Sequence, residues 1–415
     1  MSLPPHLLRV GGVTRPLTET ELEPKVLRRE IEPWLAAILQ SEHVSLLLGN
    51  GFGTAIAAAA GAPPAGMALV DFGLPETTAV TRRATELAAL SGRGAPNIED
   101  QIRSALQLVA GLEVLADPRA VQWRSAIGGV LGRFLQGVID MERGIRDAIE
   151  SGSPDGTKAR SLLTSFLLTF ASRPASRERL NLFTTNYDRV IEYGCDLVGL
   201  RPIDRFVGTL APVFRASRLE VDMHYNPPGI RGEPRYLEGV IRLAKLHGSI
   251  DWRYADRVIR RTVLPFGEAA TTLPADPYRT LIIYPNPAKD VETLEYPYAE
   301  LFRDFSAALC RPNSAVITYG YGFGDDHINR VLADMLSIPS THLVAISYAD
   351  TSDRLEAFLG RVSRDQQVSL LIGSHLGDLS SLVQHYLPRP ASDALVVRKA
   401  EISRKRDSGA ESKPE

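Results

Sequence analysis

The strongest constraint in this chain is a set of short apolar runs that each stop at a polar turn, with helix-patterned sequence between them. The runs are Val44–Leu48, Leu180–Thr185, Val240–Leu246, Leu281–Tyr284, Ala315–Tyr319, Leu343–Tyr348 and Val368–Ile372. Strands that are apolar on both faces and alternate with helices belong to parallel sheets covered on both sides. The expected fold class is therefore α/β, with a doubly wound, mainly parallel, Rossmann-like sheet.

One interval breaks the alternation. From about Thr81 to Ser172, Trp123, Ile127, Leu131, Phe134, Val138, Met141, Ile145 and Ile149 recur three or four residues apart. That is the stripe of an amphipathic helix, and residues 81–172 read as a large helical insertion. The remainder divides into an N-terminal segment (1–40), a discontinuous Rossmann domain (41–80 and 173–388) and a polar, charge-mixed tail (389–415) expected to be disordered. The stripe has two readings, an assembly surface or packing on the chain's own domain.

Composition narrows the function classes. A formal charge of −2 gives no field of either sign, so direct nucleic-acid binding by this chain alone is not expected. Cys195 and Cys310 are the two cysteines in 415 residues. They build neither a disulfide framework nor a four-ligand zinc site, and they suit a reducing cytoplasm. The histidines and cysteines show no HxxxH or CxxC spacing, so no metal centre is expected. The apolar-rich stretch Val44–Gly61 is broken by glycines and is no bilayer span. "MSLPPHLLRVGG" lacks the pattern of a signal peptide. A cytoplasmic protein with no membrane role is the expectation.

Four turns carry polar or glycine-rich sequence where a strand ends, which is where open α/β sheets bind ligands. Gly49-Asn50-Gly51-Phe52-Gly53-Thr54 follows the first run and opens a helix. Glycines there let backbone N–H groups approach a pyrophosphate, although they also serve turn geometry, and the usual third fingerprint glycine is replaced by Thr54. Thr184-Thr185-Asn186-Tyr187-Asp188 follows the second run. A helix cap explains Asn186 or Asp188 but leaves the threonines unexplained, while an amide both donates and accepts to a ribose hydroxyl or a water. His247, in "KLHGSIDW", ends the third run, and imidazoles titrate near neutrality, as a general base requires. A structural histidine is the competing reading. In "VITYGYGFGDDHINRVL", Asp325 and Asp326 suit a helix dipole, whereas Gly320 and Gly322 suggest close passage of a ligand.

The ordered set "LLLGNGFG", "TTNYD", "KLHGS" and "YGYGFGDDHIN" resembles the sirtuin-like proteins of bacterial anti-phage defence. It is especially similar to the branch that partners a HerA-type hexameric DNA-translocating ATPase. The resemblance spans about residues 40 to 375. It implies a sirtuin-type Rossmann domain that takes NAD as substrate and cleaves the nicotinamide–ribose bond. By that resemblance Asn186 and His247 are the catalytic residues. Gly49, Asn50, Gly51, Phe52, Thr54, Asp188, Gly320, Tyr321 and Gly322 then contact NAD. It also implies a homo-oligomer that docks on the ATPase. Deacylating sirtuins carry a four-cysteine zinc module after the histidine, yet Arg253 to Thr280 contains no cysteine. Neither does an arginine follow Gly61-Ala62-Pro63, so the lid over NAD is expected to be built differently. The expectation is hydrolysis of NAD to nicotinamide and ADP-ribose in antiviral defence. The alternatives are a non-catalytic NAD or ADP-ribose sensor and ADP-ribosyl transfer.

Overall fold

In the computed structural model the described residues are 3–90, 94–173, 177–216, 222–226, 235–255, 258–268, 281–283, 297–350, 353–362 and 364–389. The first strands are β1 (Leu7–Val10), β2 (Val13–Pro16), β3 (His43–Leu48), β4 (Asn181–Thr184) and β5 (Arg201–Ile203). Next come β6 (Phe206–Val207), β7 (Val213–Phe214), β8 (His224–Tyr225), β9 (Arg235–Tyr236), β10 (Val240–Lys245) and β11 (Gly248–Ala255). The last are β12 (Val258–Arg261), β13 (Leu281–Ile283), β14 (Ser314–Tyr319), β15 (His342–Ser347) and β16 (Val368–Ile372). The longer helices begin with α1 (Pro24–Ile38), α2 (Asn50–Ala59), α3 (Thr77–Leu90), α4 (Ile98–Val114) and α5 (Arg119–Ser151). They continue with α6 (Pro154–Ala171), α7 (Val190–Val198), α8 (Tyr298–Leu309), α9 (Asp326–Leu336) and α10 (Arg354–Val362).

The main sheet runs β2-β1-β16-β15-β14-β3-β4-β10-β5. From β16 to β5 every pairing is parallel. Its inner strands, β10-β4-β3-β14-β15-β16, follow the doubly wound order 3-2-1-4-5-6. The chain grows outward from β3 through β4 and β10, then restarts on the other side with β14. The switch point therefore lies between the carboxyl ends of β3 and β14. The expected α/β class is what the structure shows.

Three features depart from the pattern read in sequence. Leu281–Ile283 is a strand, but it pairs antiparallel with β11 in a second sheet, β13-β11-β12-β7-β6. An apolar run that short does not specify its partner, and Tyr284 lies outside the described residues. Within residues 1–40, β1 pairs antiparallel with β16 and β2 with β1, so this segment extends the main sheet. An edge hairpin with a solvent-facing outer strand has no continuous apolar run to announce it. Finally, α6 is not part of an insertion. Leu162, Leu163 and Phe166 share one core with Leu46, Phe52 and Leu182, so α6 is a layer helix of the β3-to-β4 crossover. From residue 390 onward, the tail expected to be disordered lies outside the described residues.

Helix α5 joins the two parts. Its first half, from Trp123 to Val138, packs with Ile102 and Val109 of α4. Its second half places Met141, Ile145 and Ile149 in the sheet core. At the junction the fully buried Glu142 accepts from the Arg189 backbone N–H at 2.8 Å and from Arg189 Nη2 at 2.5 Å. Arg189 also donates to the carbonyls of Leu264 and Pro265. Such a pair is secure because both members are fully hydrogen-bonded, and deleting one would strand the other. No helix among the described residues is long and apolar enough to cross a membrane.

Candidate active site

A cleft of about 390 Å³ opens at the carboxyl ends of β3, β4, β10 and β14. That lies within the ~300–1,000 Å³ of ordinary small-molecule sites. Asn186, Asp188 and His247 line it, together with Gly49, Asn50, Gly320, Tyr321 and Gly322.

The loops after β4 and β10 are laced to each other before they reach the cleft. Thr184 Oγ1 donates to the Leu48 carbonyl at 2.9 Å and accepts from the Asn186 N–H at 3.0 Å. The Thr185 N–H donates to the same Leu48 carbonyl at 3.2 Å, and the Leu246 N–H to the Thr184 carbonyl at 2.8 Å. Farther along, the Ile250 N–H and the Ser249 hydroxyl donate to the Tyr187 carbonyl at 3.2 and 3.3 Å. The hydroxyl bonds explain Thr184, which shapes the turn that presents Asn186; Thr185 contributes its backbone N–H. Asn186 is 5% exposed, and neither Oδ1 nor Nδ2 has a hydrogen-bond partner within the protein. Leaving such a group unsatisfied costs about 1–3 kcal/mol, so the fold holds this amide ready for something else.

Asp188 lies one residue before the helix cap, Arg189, and its Oδ1 accepts from the Val190 N–H at 3.1 Å. It is also a cleft residue. Burial pushes its carboxyl up to about 6, with Glu142 and Glu192 adding to the shift, while Lys245 and the Val190 amide oppose it. Lys245 is buried between the Asp188 carbonyl and Glu192, 3.1 Å from the latter's Oε1.

The glycine loops also pack closely on each other. The Gly49 N–H donates to the Tyr319 carbonyl at 3.1 Å, the Gly51 N–H to the Gly320 carbonyl at 3.0 Å, and the Phe52 N–H to the Gly49 carbonyl at 3.0 Å. A Cβ on Gly49 would lie 2.4 Å from the Gly320 oxygen, and one on Gly51 would lie 2.7 Å from the Gly320 Cα. Gly320 itself has φ +62° and is equally tight against Gly51. These glycines let two backbones touch each other. Gly53 lets α2 approach the polar loop, because a Cβ there would sit 3.0 Å from Asp188 Oδ2. Gly322 differs: only Arg354 Nη1, at 3.9 Å, comes near its Cβ position.

Three residues named from sequence lie off the cleft, and Tyr321 lines it with its side chain turned away. Phe52 is fully buried in the core against Phe166 and Tyr319. Gly51 and Thr54 line a neighbouring cavity of about 470 Å³ that also touches Gly320. Tyr321 turns its side chain inward, donating to Asn329 Oδ1 at 2.9 Å.

The helical block supplies the cover. Asn97 and Glu99 at the start of α4, Phe134 and Val138 of α5, and Ala65 and Met67 of the preceding segment face the glycine loops. Asn97 caps α4 by accepting from the Glu99 and Asp100 N–H groups at 2.9 and 3.2 Å. The Tyr187 hydroxyl donates to Glu99 Oε1 at 2.5 Å, and its ring meets Phe134 edge-on at 5.5 Å. Burial, then Glu99, push the Tyr187 phenol well above its ordinary range. The helix start at "NIED" is legible in sequence as a capping box, but nothing local says that it faces the site. Arg354 opens the helix that follows β15, and no local pattern marks it as a cleft residue. Among the described residues no cluster of His, Cys, Asp or Glu is arranged to hold a metal.

No curated protein matches the chain. A solved structure of a Sir2 homologue variant bound to ADP-ribose covers 89% of this chain and 96% of its own, at 11% identity and a TM-score of 0.33. So loose a superposition leaves the family model as the informative comparison. Residues 180–369, from the start of β4 into β16, match the model of the SIR2-like domain.

Proposed function

We propose that this chain hydrolyses NAD to nicotinamide and ADP-ribose. The observation that carries the reading is the Asn186 amide, buried and unpartnered, in the same cleft as His247. The match of residues 180–369 to a SIR2-like domain supports a nucleotide of this class.

The chemistry follows from the substrate's own charge. The pyridinium ring of NAD is a cationic leaving group. When the bond between the ring nitrogen and ribose C1′ breaks, its electron pair neutralises the ring, so no acid is needed. The sugar is left as an oxocarbenium ion. Asn186 orients the ribose hydroxyls or the incoming water, water oxygen bonds to C1′, and His247 accepts the proton. A positioned base contributes about a hundred- to ten-thousandfold. The carboxylates of Asp188 and Glu99 face the developing cation, and the cover formed by α4 and α5 excludes bulk water. Without a zinc module in the sequence, no acyl-lysine groove is part of this reading.

Incubating the pure chain with NAD tests it. Free ADP-ribose with nicotinamide supports hydrolysis, intact bound NAD would make the chain a sensor, and ADP-ribose attached to protein would make it a transferase.

We further propose that the enzyme is a cytoplasmic anti-phage effector controlled by assembly, as a homo-oligomer docked on a HerA-type ATPase. Continuous NAD hydrolysis would kill the cell, so control is required. The support is the sequence resemblance. The apolar stripe of α5 is buried within the chain's own cores, while Val114, Leu115 and Val121 at the α4–α5 turn remain exposed. Mass measurement alone and with the ATPase tests this, and a monomer in both cases contradicts it.

A further inference from the structure

A dinucleotide brings a diphosphate, and three N–H groups of the first glycine loop are already engaged. Oxyanions of this kind are held by N–H groups, preferably at a helix start, or by a guanidinium fork. The N–H groups of Gly49, Gly51 and Phe52 are bonded to the carbonyls of Tyr319, Gly320 and Gly49. The first turn of α10 is also closed, because the Leu355 and Glu356 N–H groups donate to the Asp350 carboxylate at 3.0 and 3.1 Å.

The charges along the cleft are unevenly placed. Glu99, Asp188 and Asp325 are its carboxylates, and Asp325 joins Glu99 in raising the Tyr187 phenol. Among the described residues lining the cleft, Arg354 is the one lysine or arginine. Its guanidinium stands over Gly322, whose Cβ position is otherwise open.

We propose that Arg354 is the diphosphate anchor of the cleft, its guanidinium meeting the phosphates beside the bare Gly322 backbone. The inference rests on the reading that the cleft takes a dinucleotide, and it adds the residue that orients it. The anionic diphosphate lies at the Arg354 end, so the cationic nicotinamide ribose lies toward Asn186, Asp188 and His247. Arginine suits this role because its planar fork meets phosphate oxygens in pairs, which lysine cannot do.

Calorimetric binding of ADP-ribose to the full chain tests the assignment, with Arg354→Ala, Arg354→Lys and Lys158→Ala compared with the parent. Lys158 lines the neighbouring cavity beside Gly51 and Thr54, so it reports the competing position for the phosphates. Nicotinamide riboside, which has no diphosphate, is the control ligand. Arg354→Ala should weaken ADP-ribose about ten- to a hundredfold and leave nicotinamide riboside unchanged. Arg354→Lys should fall between, and Lys158→Ala should match the parent. Equal ADP-ribose affinity in parent and Arg354→Ala overturns the anchor while the nucleotide reading stands, and so does a loss confined to Lys158→Ala. A parent that binds no ADP-ribose overturns both. Thermal melting of each variant separates a lost contact from a lost fold.

Discussion

Two pairs of loops meet at the same sheet edge and use their sequence in opposite ways. The glycine loops after β3 and β14 turn their backbones on each other, with Gly49 and Gly51 bonded to carbonyls of the opposite loop. The polar loops after β4 and β10 use backbone and hydroxyl bonds to fix their shape, and leave the Asn186 amide without a partner. One pair builds the floor and the other equips it. Two loops rich in unusual residues therefore need not be unusual for the same reason. Only the pair that holds an unsatisfied group at a cost to stability bears the mark of chemistry.

Substitutions can break that contrast. Within the two loop pairs, Asn186→Ala tests the contrast most strongly and should slow nicotinamide release about a hundred- to a thousandfold. Its melting temperature should hold or rise, because a buried unpartnered amide is removed. A comparable loss of stability would place Asn186 with the structural residues. Gly49→Ala should do the reverse. With its Cβ 2.4 Å from the Gly320 oxygen, the two backbones must separate, at about 1–3 kcal/mol, read as a lower denaturation midpoint. A midpoint equal to the parent's would show that the loops are not in contact.

Smaller effects sharpen the picture. Tyr187→Phe removes the hydrogen bond to Glu99 and should cost about 1–2 kcal/mol while weakening the hold of α4 on the cleft. Faster amide exchange in residues 97–104 would register it. Asp188 provides a pH signature. Its carboxyl stands at about 6 in the fold against an ordinary 3.8, so the folded state binds its proton more tightly than the unfolded chain. Its stabilising contribution is full below the ordinary value and is lost as pH rises through about 6. Activity that needs the ionised carboxylate should rise over the same interval. Asp188→Asn should erase both inflections, and a parent profile that is flat there would remove Asp188 from the mechanism.

Much of the sheet was legible because buried parallel strands must be continuously apolar, as Val44–Leu48 and Val368–Ile372 are. The edge hairpin β1–β2 and the second sheet were not, since edge and antiparallel strands need be apolar on one face only. The stripe of α5 is visible in sequence, but nothing there separates α6, which packs in the sheet core, from its neighbours. Periodicity says that a helix has an apolar face, not which core receives it. At the site, Asn186 and His247 stand out in sequence because each is a polar residue where an apolar run ends, and the structure places both in one cleft. The meeting of Gly49 with Gly320, the reach of Glu99 to Tyr187 and the position of Arg354 are long-range contacts, which spacing along the chain does not encode.

The most direct measurement is the rate of nicotinamide release from NAD by the full chain and by a His247→Ala variant with the parent's melting temperature. The account predicts measurable release by the parent and a fall of about a hundred- to ten-thousandfold in the variant. Equal rates, or no release by the parent with or without an added HerA-type ATPase, would contradict it.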